Sequence, residues 1–443
     1  MRRLSLVLLS AALLAACSAP GASSTPSGST ASPVASAQAA ADIELAVANG
    51  VARLSADPTA AKRAAEALNA FGVDLYAQVR TADGNLVVSP ASIALALSMA
   101  RAGARGATAT EMDKVLHDLA SDANANWIAS LDSSLADRTG SFKDQTGQAQ
   151  QVTLRIANAN FAQRGFALES NYLTALAERF GAGVKLVDYA TAPETARKAI
   201  NGWVADQTEQ RIKELLAQGT VDAMTRLVLV NAIYLKAAWL SPFETSATAP
   251  AAFHLADGST AQVPMMRTRG HLEYAKGAGW QAVALPYVGQ QVSMLVIVPD
   301  ELASFEKGFD AAMLTSITSS LAEREVALGL PKFGTETKTG LADVLTKLGM
   351  PSAFSAKTAD FSGMTTADQL FISAVVHQAN IDVDEAGTEA AAATAAVMAG
   401  LAAPTDTVTL TVDRPFIFAV RDNVTGAVLF LGRITNPAAK AAG

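Results

Sequence analysis

Few residues in this 443-residue chain are equipped for chemistry, and their spacing limits what they could do. Four histidines and one cysteine leave little from which to build a metal site. Ser304 and Lys307 fit S-x-x-K, and Lys338, Thr339 and Gly340 fit K-T-G, the pairing of an acylated serine with its lysine. The spacing is wrong for that reaction. Only about thirty residues separate the motifs, too few for the helical domain such enzymes place between them, and no S-D-N follows the serine. Ser89 or Ser92 with His377 could make a Ser-His pair, but no G-x-S-x-G elbow occurs and no acid is placed by sequence beside it. His377 alone reads as a satisfied core histidine. No catalytic residue, metal ligand or cofactor is expected.

What remains is a stretch without reactive side chains whose composition is itself unusual. Residues 384–404 read D-E-A-G-T-E-A-A-A-A-T-A-A-V-M-A-G-L-A-A-P, uncharged after Glu389. Alanine favours helix, yet Thr394, Val397 and Gly400 interrupt the run and no amphipathic stripe forms. An alanine-rich helix or a linker is one reading. Strand parity supplies another, because side chains alternate between the faces of a strand. One face would carry Thr388, Ala390, Ala392, Thr394, Ala396 and Met398, none charged. The other would carry Glu389, Ala391, Ala393, Ala395 and Val397, with the single charge on the side that could meet water. Such a segment could enter the middle of a sheet unobstructed.

The elements that must position this stretch follow from pattern. Residues 61–79 have helical spacing of apolar side chains, residues 85–90 read as a short strand stopped by Pro90, and residues 91–104 as a buried helix. Thr108 and Glu111 form a capping-box pattern for the next helix. Residues 152–160 alternate as a strand, 170–181 form a helix with a Ser cap and Gly stop, and 195–207 a helix after Pro193. Residues 227–235 suit a central strand, 292–298 and 325–333 are strands, and 341–348 a helix. Residues 370–384 make a long alternating strand running directly into the unusual stretch. Residues 408–412, 415–420 and 427–431 are strands, the last two a hairpin around residues 423–426.

Half of the residues are hydrophobic, enough for a large core, and length alone suggests about three domains. The net charge of -7, with no basic cluster beyond Arg2 and Arg3, argues against nucleic acid as partner. Met1-Arg2-Arg3, an apolar run at 4–14 too short to span a bilayer, and small residues after it read as a signal peptide. It ends Leu14-Ala15-Ala16-Cys17, which resembles a bacterial lipobox, whose cysteine thiol is lipidated. A buried free cysteine is the alternative for Cys17. Residues 18–55 are rich in Ser, Ala, Pro, Gly and Thr and read as a tether.

Several motifs together resemble the serpin family. Glu385, G-T-E at Gly387, Thr388 and Glu389, and the run Ala390, Ala391, Ala392, Ala393 to Thr394 look like the hinge of a reactive-centre loop. N-L-V-V-S-P-A-S-I-A-L-A-L-S-M from residue 85 and G-A-x-G-A-T from 103 match the family, as do I-A-N-A-N-F from 156 and V-K-L-V-D-Y from 184. L-V-L-V-N-A-I-Y-L-K-A-A-W-L-S-P-F-E at 227–244 is close to a signature, with Leu235 where the family more often has Phe. L-P-K-F at 330–333, D-R-P-F-I-F-A-V at 413–420 and L-F-L-G-R-I-T-N-P at 429–437 complete it.

The resemblance covers residues 56–437, so one domain replaces the three that length suggests, followed by a tail at 438–443. It implies an α+β fold of three β-sheets with eight or nine helices and an exposed reactive-centre loop at residues 385–404. It assigns Ser89, Ser92, Asn231 and His377 to the shutter, a hydrogen-bond cluster where the main sheet opens. It assigns Trp239, Lys332 and Glu385 to the breach, where the loop first enters. An exposed Lys332–Glu385 pair there would stabilise typically under about 1 kcal/mol.

The implied activity is inhibition of serine proteases rather than catalysis. Counting seventeen residues from Glu385 puts the scissile bond between Leu401 and Ala402, with Met398 the next candidate. Leucine suits the apolar pocket of chymotrypsin-like, subtilisin-like or some elastase-like proteases. Cleavage would be followed by insertion of residues 388–398 into the main sheet. The alternative is a non-inhibitory binding or storage serpin, but such members carry a charged, bulky or proline residue in the hinge, and none lies between Glu389 and Gly400 here. The partners implied are a target serine protease, in a covalent acyl complex, and a membrane reached only through lipid on Cys17. The expected protein is a monomer, extracytoplasmic, anchored to the cell envelope or surface or secreted.

Overall fold

The computed structural model describes residues 42–80, 84–145, 147–389 and 407–439. Cys17, Ala390, Ala391, Ala392, Ala393, Thr394, Leu401 and Ala402 lie outside them.

A helix, α1 (Pro58–Val79), opens the folded part. Asp57 caps it by accepting from the N–H groups of Thr59 and Ala60, and Pro58 occupies its first turn, where a missing N–H costs nothing. The next, α2 (Pro90–Arg101), is buried on every side, as its nearly unbroken apolar sequence requires. Pro90 fixes its start and Ser89 caps it. The capping box expected at Thr108 and Glu111 does not form. The helix Gly106–Val115 starts three residues earlier, with Arg105 at its N-cap, and both side chains have tertiary partners instead. The Thr108 hydroxyl accepts from the Asp360 N–H, and the Glu111 carboxylate accepts from the Ser352 N–H and hydroxyl.

The main sheet is built from β1 (Glu44–Ala46), β2 (Ala149–Gln163), β3 (Val184–Val187), β4 (Leu227–Ala238), β5 (Phe333–Gly340), β6 (Ala374–Val383) and β7 (Gly387–Thr388). Their order across the sheet is β1-β3-β2-β4-β7-β6-β5, and the hairpin strand Gly140–Lys143 adds an eighth on β2. One face packs on α2. The other is covered by α3 (Pro193–Gln207), whose Ile200 and Val204 meet Ala157, Ala159, Val228, Val230 and Ala232. Covered on both faces, β4 has eleven of its twelve residues buried, which explains why it reads as a continuous apolar run rather than an alternating one.

The other two expected sheets are joined into a nine-stranded array through the 18-residue strand Thr260–Gly277. Its hairpin Phe416–Asp422 and Val428–Ile434 is the one expected near the carboxyl terminus, and both strands are almost wholly buried. Nine α-helices occur among the described residues.

One boundary moves. Residues 44–46, inside the stretch read as tether, pair with β3 and cover that edge of the main sheet. Further along, Arg53 forms an ion pair with Asp132. Backbone hydrogen bonding at a free edge and one long cation are enough to dock a segment whose composition alone promises no order.

Candidate functional site

The unusual stretch begins where β6 ends, and the chain reverses there within four residues. Asp384 Oδ1 accepts from the N–H groups of Ala386 (2.8 Å) and Gly387 (3.2 Å), a side-chain-stabilised turn. Gly387 sits at φ +152°, and a Cβ on it would lie 2.2 Å from the Ala237 carbonyl oxygen, so no other residue fits. The chain thereby re-enters the sheet as β7, antiparallel to both neighbours. Gly387 pairs with Ala238, and Thr388 pairs with Ala237 on β4 and Val383 on β6. Below this point β4 and β6 pair directly, in parallel, from Ala374 with Val228 to Gln378 with Ala232.

The turn is held from three directions. Lys332 forms an ion pair with the Glu385 carboxylate, which also accepts from the Thr248 hydroxyl at 2.8 Å. Trp239 donates from Nε1 to the Asp384 carbonyl at 2.9 Å and stacks on Tyr287 with centroids 4.5 Å apart. The Tyr287 hydroxyl in turn meets the Thr388 hydroxyl at 2.6 Å. The structure thus brings Trp239, Lys332 and Glu385 together, but the pair is not the exposed one expected. Glu385 is buried, and its backbone carbonyl accepts from the Phe243 N–H while that of Ala386 accepts from the Trp239 N–H. Burial works to raise its carboxyl, and the hydrogen bonds from Lys332 and Thr248 overcome that and hold it below the usual range.

Parity holds for the two residues that can be placed. Thr388 points inward, and Glu389 points to the opposite face. That face does not meet water here. The Glu389 side chain is 2% exposed, with Arg211 Nε 3.2 Å from its carboxylate and Asn380 Nδ2 at 3.3 Å. The loop following α3 lies over it, a tertiary fact that strand parity cannot supply.

Ser89, Ser92, Asn231 and His377 also come together, where the first turn of α2 lies on the sheet. Asn231 on β4 is flanked in register by Asn158 on β2 and His377 on β6. His377 Nε2 accepts from the Ser89 N–H (3.0 Å), so Nδ1 carries the proton and donates to Asn231 Oδ1 at 2.6 Å. Ser92 donates to Asn158 Oδ1 at 2.9 Å, while Asn231 Nδ2 is buried without a hydrogen-bond partner. Complete burial pushes the imidazole down to about 3, so it is neutral, and its lone pair is already occupied by a backbone donor. It therefore cannot take a proton from either serine, which removes the Ser-His reading. The S-x-x-K reading fares no better. Ser304 sits in the first turn of the helix Leu302–Gly308, while the Lys338 ammonium on β5 donates to the Glu214 carbonyl.

A hairpin-like turn docked in the middle of a large sheet above a buried His–Asn–Ser row is a specific arrangement. The family model for Serpin (serine protease inhibitor) matches residues 66–437. The chain belongs to the serpin family. It is 40% identical over 382 residues to a serpin-like protein of Thermococcus kodakarensis, covering 85% of this chain and 86% of that one. It is 38% identical to the leukocyte elastase inhibitor of Bos taurus, covering 83% and 97%. The thermophilic serpin tengpin in its native state superposes with a TM-score of 0.76 at 26% identity, over 88% of this chain and 97% of that one. Uncleaved ovalbumin gives 0.73 at 28% identity, over 84% and 100%. As a serpin the protein is a protease inhibitor and not an enzyme.

Sequence reasoning missed several residues of this serpin's site. Asn158 was within reach, since it occupies a core-facing position of an alternating strand where a polar side chain needs a partner. Tyr287, Thr248 and Arg211 gave no local signal, because each arrives from a distant element.

Proposed function

We propose that this serpin is a suicide inhibitor of serine proteases with an apolar primary pocket, cut between Leu401 and Ala402. The protease serine Oγ attacks the Leu401 carbonyl, an acyl ester forms, and the Ala402 amine leaves with the proton. Residues 388–398 then extend β7 downward between β4 and β6 before water reaches the ester, carrying the protease with them. The observation that carries this reading is the docked β7. The loop already enters the sheet at its central strands, in the register that turns Thr388 inward, and the residues that follow it on that face are small and uncharged. The buried row at Asn231 supports it from below. Its polar groups, one of them an orphan amide, can exchange partners when β4 and β6 part, so opening need not strand them in an apolar core.

A leucine at the cut fits an apolar pocket, as the kinship with an elastase inhibitor also suggests. The lipobox-like Cys17 fits an extracytoplasmic serpin, tethered by lipid or secreted and working as a monomer. Incubation with chymotrypsin, pancreatic elastase, subtilisin and trypsin tests the proposal. An SDS-stable complex with one of the first three is expected, releasing a carboxyl-terminal peptide that starts at Ala402. Trapping of trypsin alone refutes the specificity, and cleavage without any complex refutes the inhibitory reading.

A further inference from the structure

Three observations meet on Glu389. Its backbone takes φ +50°, a left-handed conformation through which a strand cannot continue. Its buried carboxylate lies 3.2 Å from Arg211 Nε, yet Oε2 receives no hydrogen bond. Arg211 itself follows two further left-handed residues that are not glycine, Glu209 (φ +50°) and Gln210 (φ +64°), at the end of α3. Such conformations persist only where the surroundings impose them. Here Ile212, Leu215 and Leu216 are buried just beyond, and Arg197 and Asn201 of α3 both bond the Leu216 carbonyl.

We propose that Arg211 is a positioning residue for the inhibitory reaction: it clasps Glu389 and so holds the hinge docked, Gly387 and Thr388 deep, at the register from which insertion starts. This deepens the loop-insertion reading and rests on it. The clasp resists movement in both directions. To advance down the sheet, Glu389 must leave φ +50° for an extended conformation, and to withdraw it must part from Arg211 and return Gly387 and Thr388 to the free loop.

The groups facing Glu389 are Arg211 and Glu209 from the covering loop, Tyr234 and Lys236 from β4, and Asn380 and Asp382 from β6. Burial raises the carboxyl to about 7, with Asp382 adding to the rise and Arg211, Tyr234 and Lys236 opposing it. An undocked hinge would ionise at the usual 4.5. The docked form therefore holds the proton more tightly. Docking is strongest below about pH 4.5, weakens as pH rises through about 7 and is level above that.

The test is intrinsic tryptophan emission of the full chain, without protease, titrated from about pH 4 to 9 across the window that linkage sets. Trp239 reports docking because it stacks on Tyr287, which touches Thr388, and subtracting the spectrum of Trp239→Phe isolates its part. The wild type should lose about fortyfold in docking between about pH 5 and 7. Glu389→Gln, whose amide oxygen can still accept from Arg211, should show no titration over this range, Arg211→Ala should dock more weakly and lose docking over a range extended to higher pH, and Arg211→Lys should restore most of the wild-type curve. Rates of complex formation with the protease that is trapped are measured on the same variants, so that the two readings fail separately. Loss of trapping with an intact titration counts against insertion, an Arg211→Ala curve indistinguishable from wild type overturns the clasp, and a Glu389→Gln curve that still titrates shows that Glu389 is not the group responsible and overturns it too.

Discussion

At the scale of single residues, His377 carries the clearest consequence for stability. Its imidazole is neutral in the fold because burial depresses it to about 3, whereas in an unfolded chain it titrates at 6.5. The unfolded state therefore binds a proton that the native state refuses between those values, and stability present above about 6.5 is lost as pH falls toward 3. The loss attributable to this one residue should reach about 3 kcal/mol by pH 4. Urea midpoints at pH 7 and pH 4 for the wild type and His377→Asn check it: the wild type should show the steeper decline, and equal declines would mean that His377 is not the group responsible. The gathering of Ser89, Ser92, Asn231 and His377 was legible because the family resemblance assigns all four to one cluster. The tautomer of His377 and the orphaned Asn231 amide were not, since they depend on which neighbour supplies each donor.

At the scale of elements, β7 matters most, and Thr388 is its test. The side chain is buried and its hydroxyl bonds Tyr287 beneath the sheet. An arginine in its place would carry a charge into that apolar layer without a partner, which is costly enough to oppose both docking and insertion. Thr388→Arg should therefore turn inhibitor into substrate. The loop would be cut at an undiminished rate, the stoichiometry of inhibition would climb steeply, and the SDS-stable complex would vanish. Unchanged inhibition would exclude insertion along this face. Strand parity, read from sequence, placed Thr388 and Glu389 on opposite faces correctly and failed only on what lies outside the sheet. Alternation is a local property of the backbone, while the cover over Glu389 comes from residues nearly two hundred positions earlier. The capping box at Thr108 failed for a related reason: Asp360 and Ser352 offered those two side chains better partners than their own helix.

At the scale of the whole molecule, the main sheet has direct contact between β4 and β6 only over its lower part among the described residues, with β7 entering above. A loop cut and inserted would give this sheet a full additional central strand, with a new ladder of hydrogen bonds on both sides. Cleavage within the loop by a protease that is not trapped should therefore raise the thermal unfolding temperature by tens of degrees rather than lower it, measured by circular dichroism before and after cutting. An unchanged temperature would instead favour a binding or storage role, as kinship in fold with ovalbumin permits. Size and class were the most legible features of all, because the motifs run through almost the entire folded chain, whereas length by itself pointed to several domains.

Lys332 separates two strands that look unrelated until their partners are compared. The strand before it, Ala322–Pro331, pairs with Val408–Thr411, where the chain resumes after the loop, and the strand after it, β5, pairs with β6, where the loop departs. One continuous stretch of polypeptide therefore frames both ends of the bait, with the lysine at the corner gripping Glu385. If the loop is cut and inserted as proposed, only residues up to Met398 must suit the sheet, so exchanging the sequence between Ala399 and Thr407 would re-aim the same scaffold at a new protease without redesigning its body.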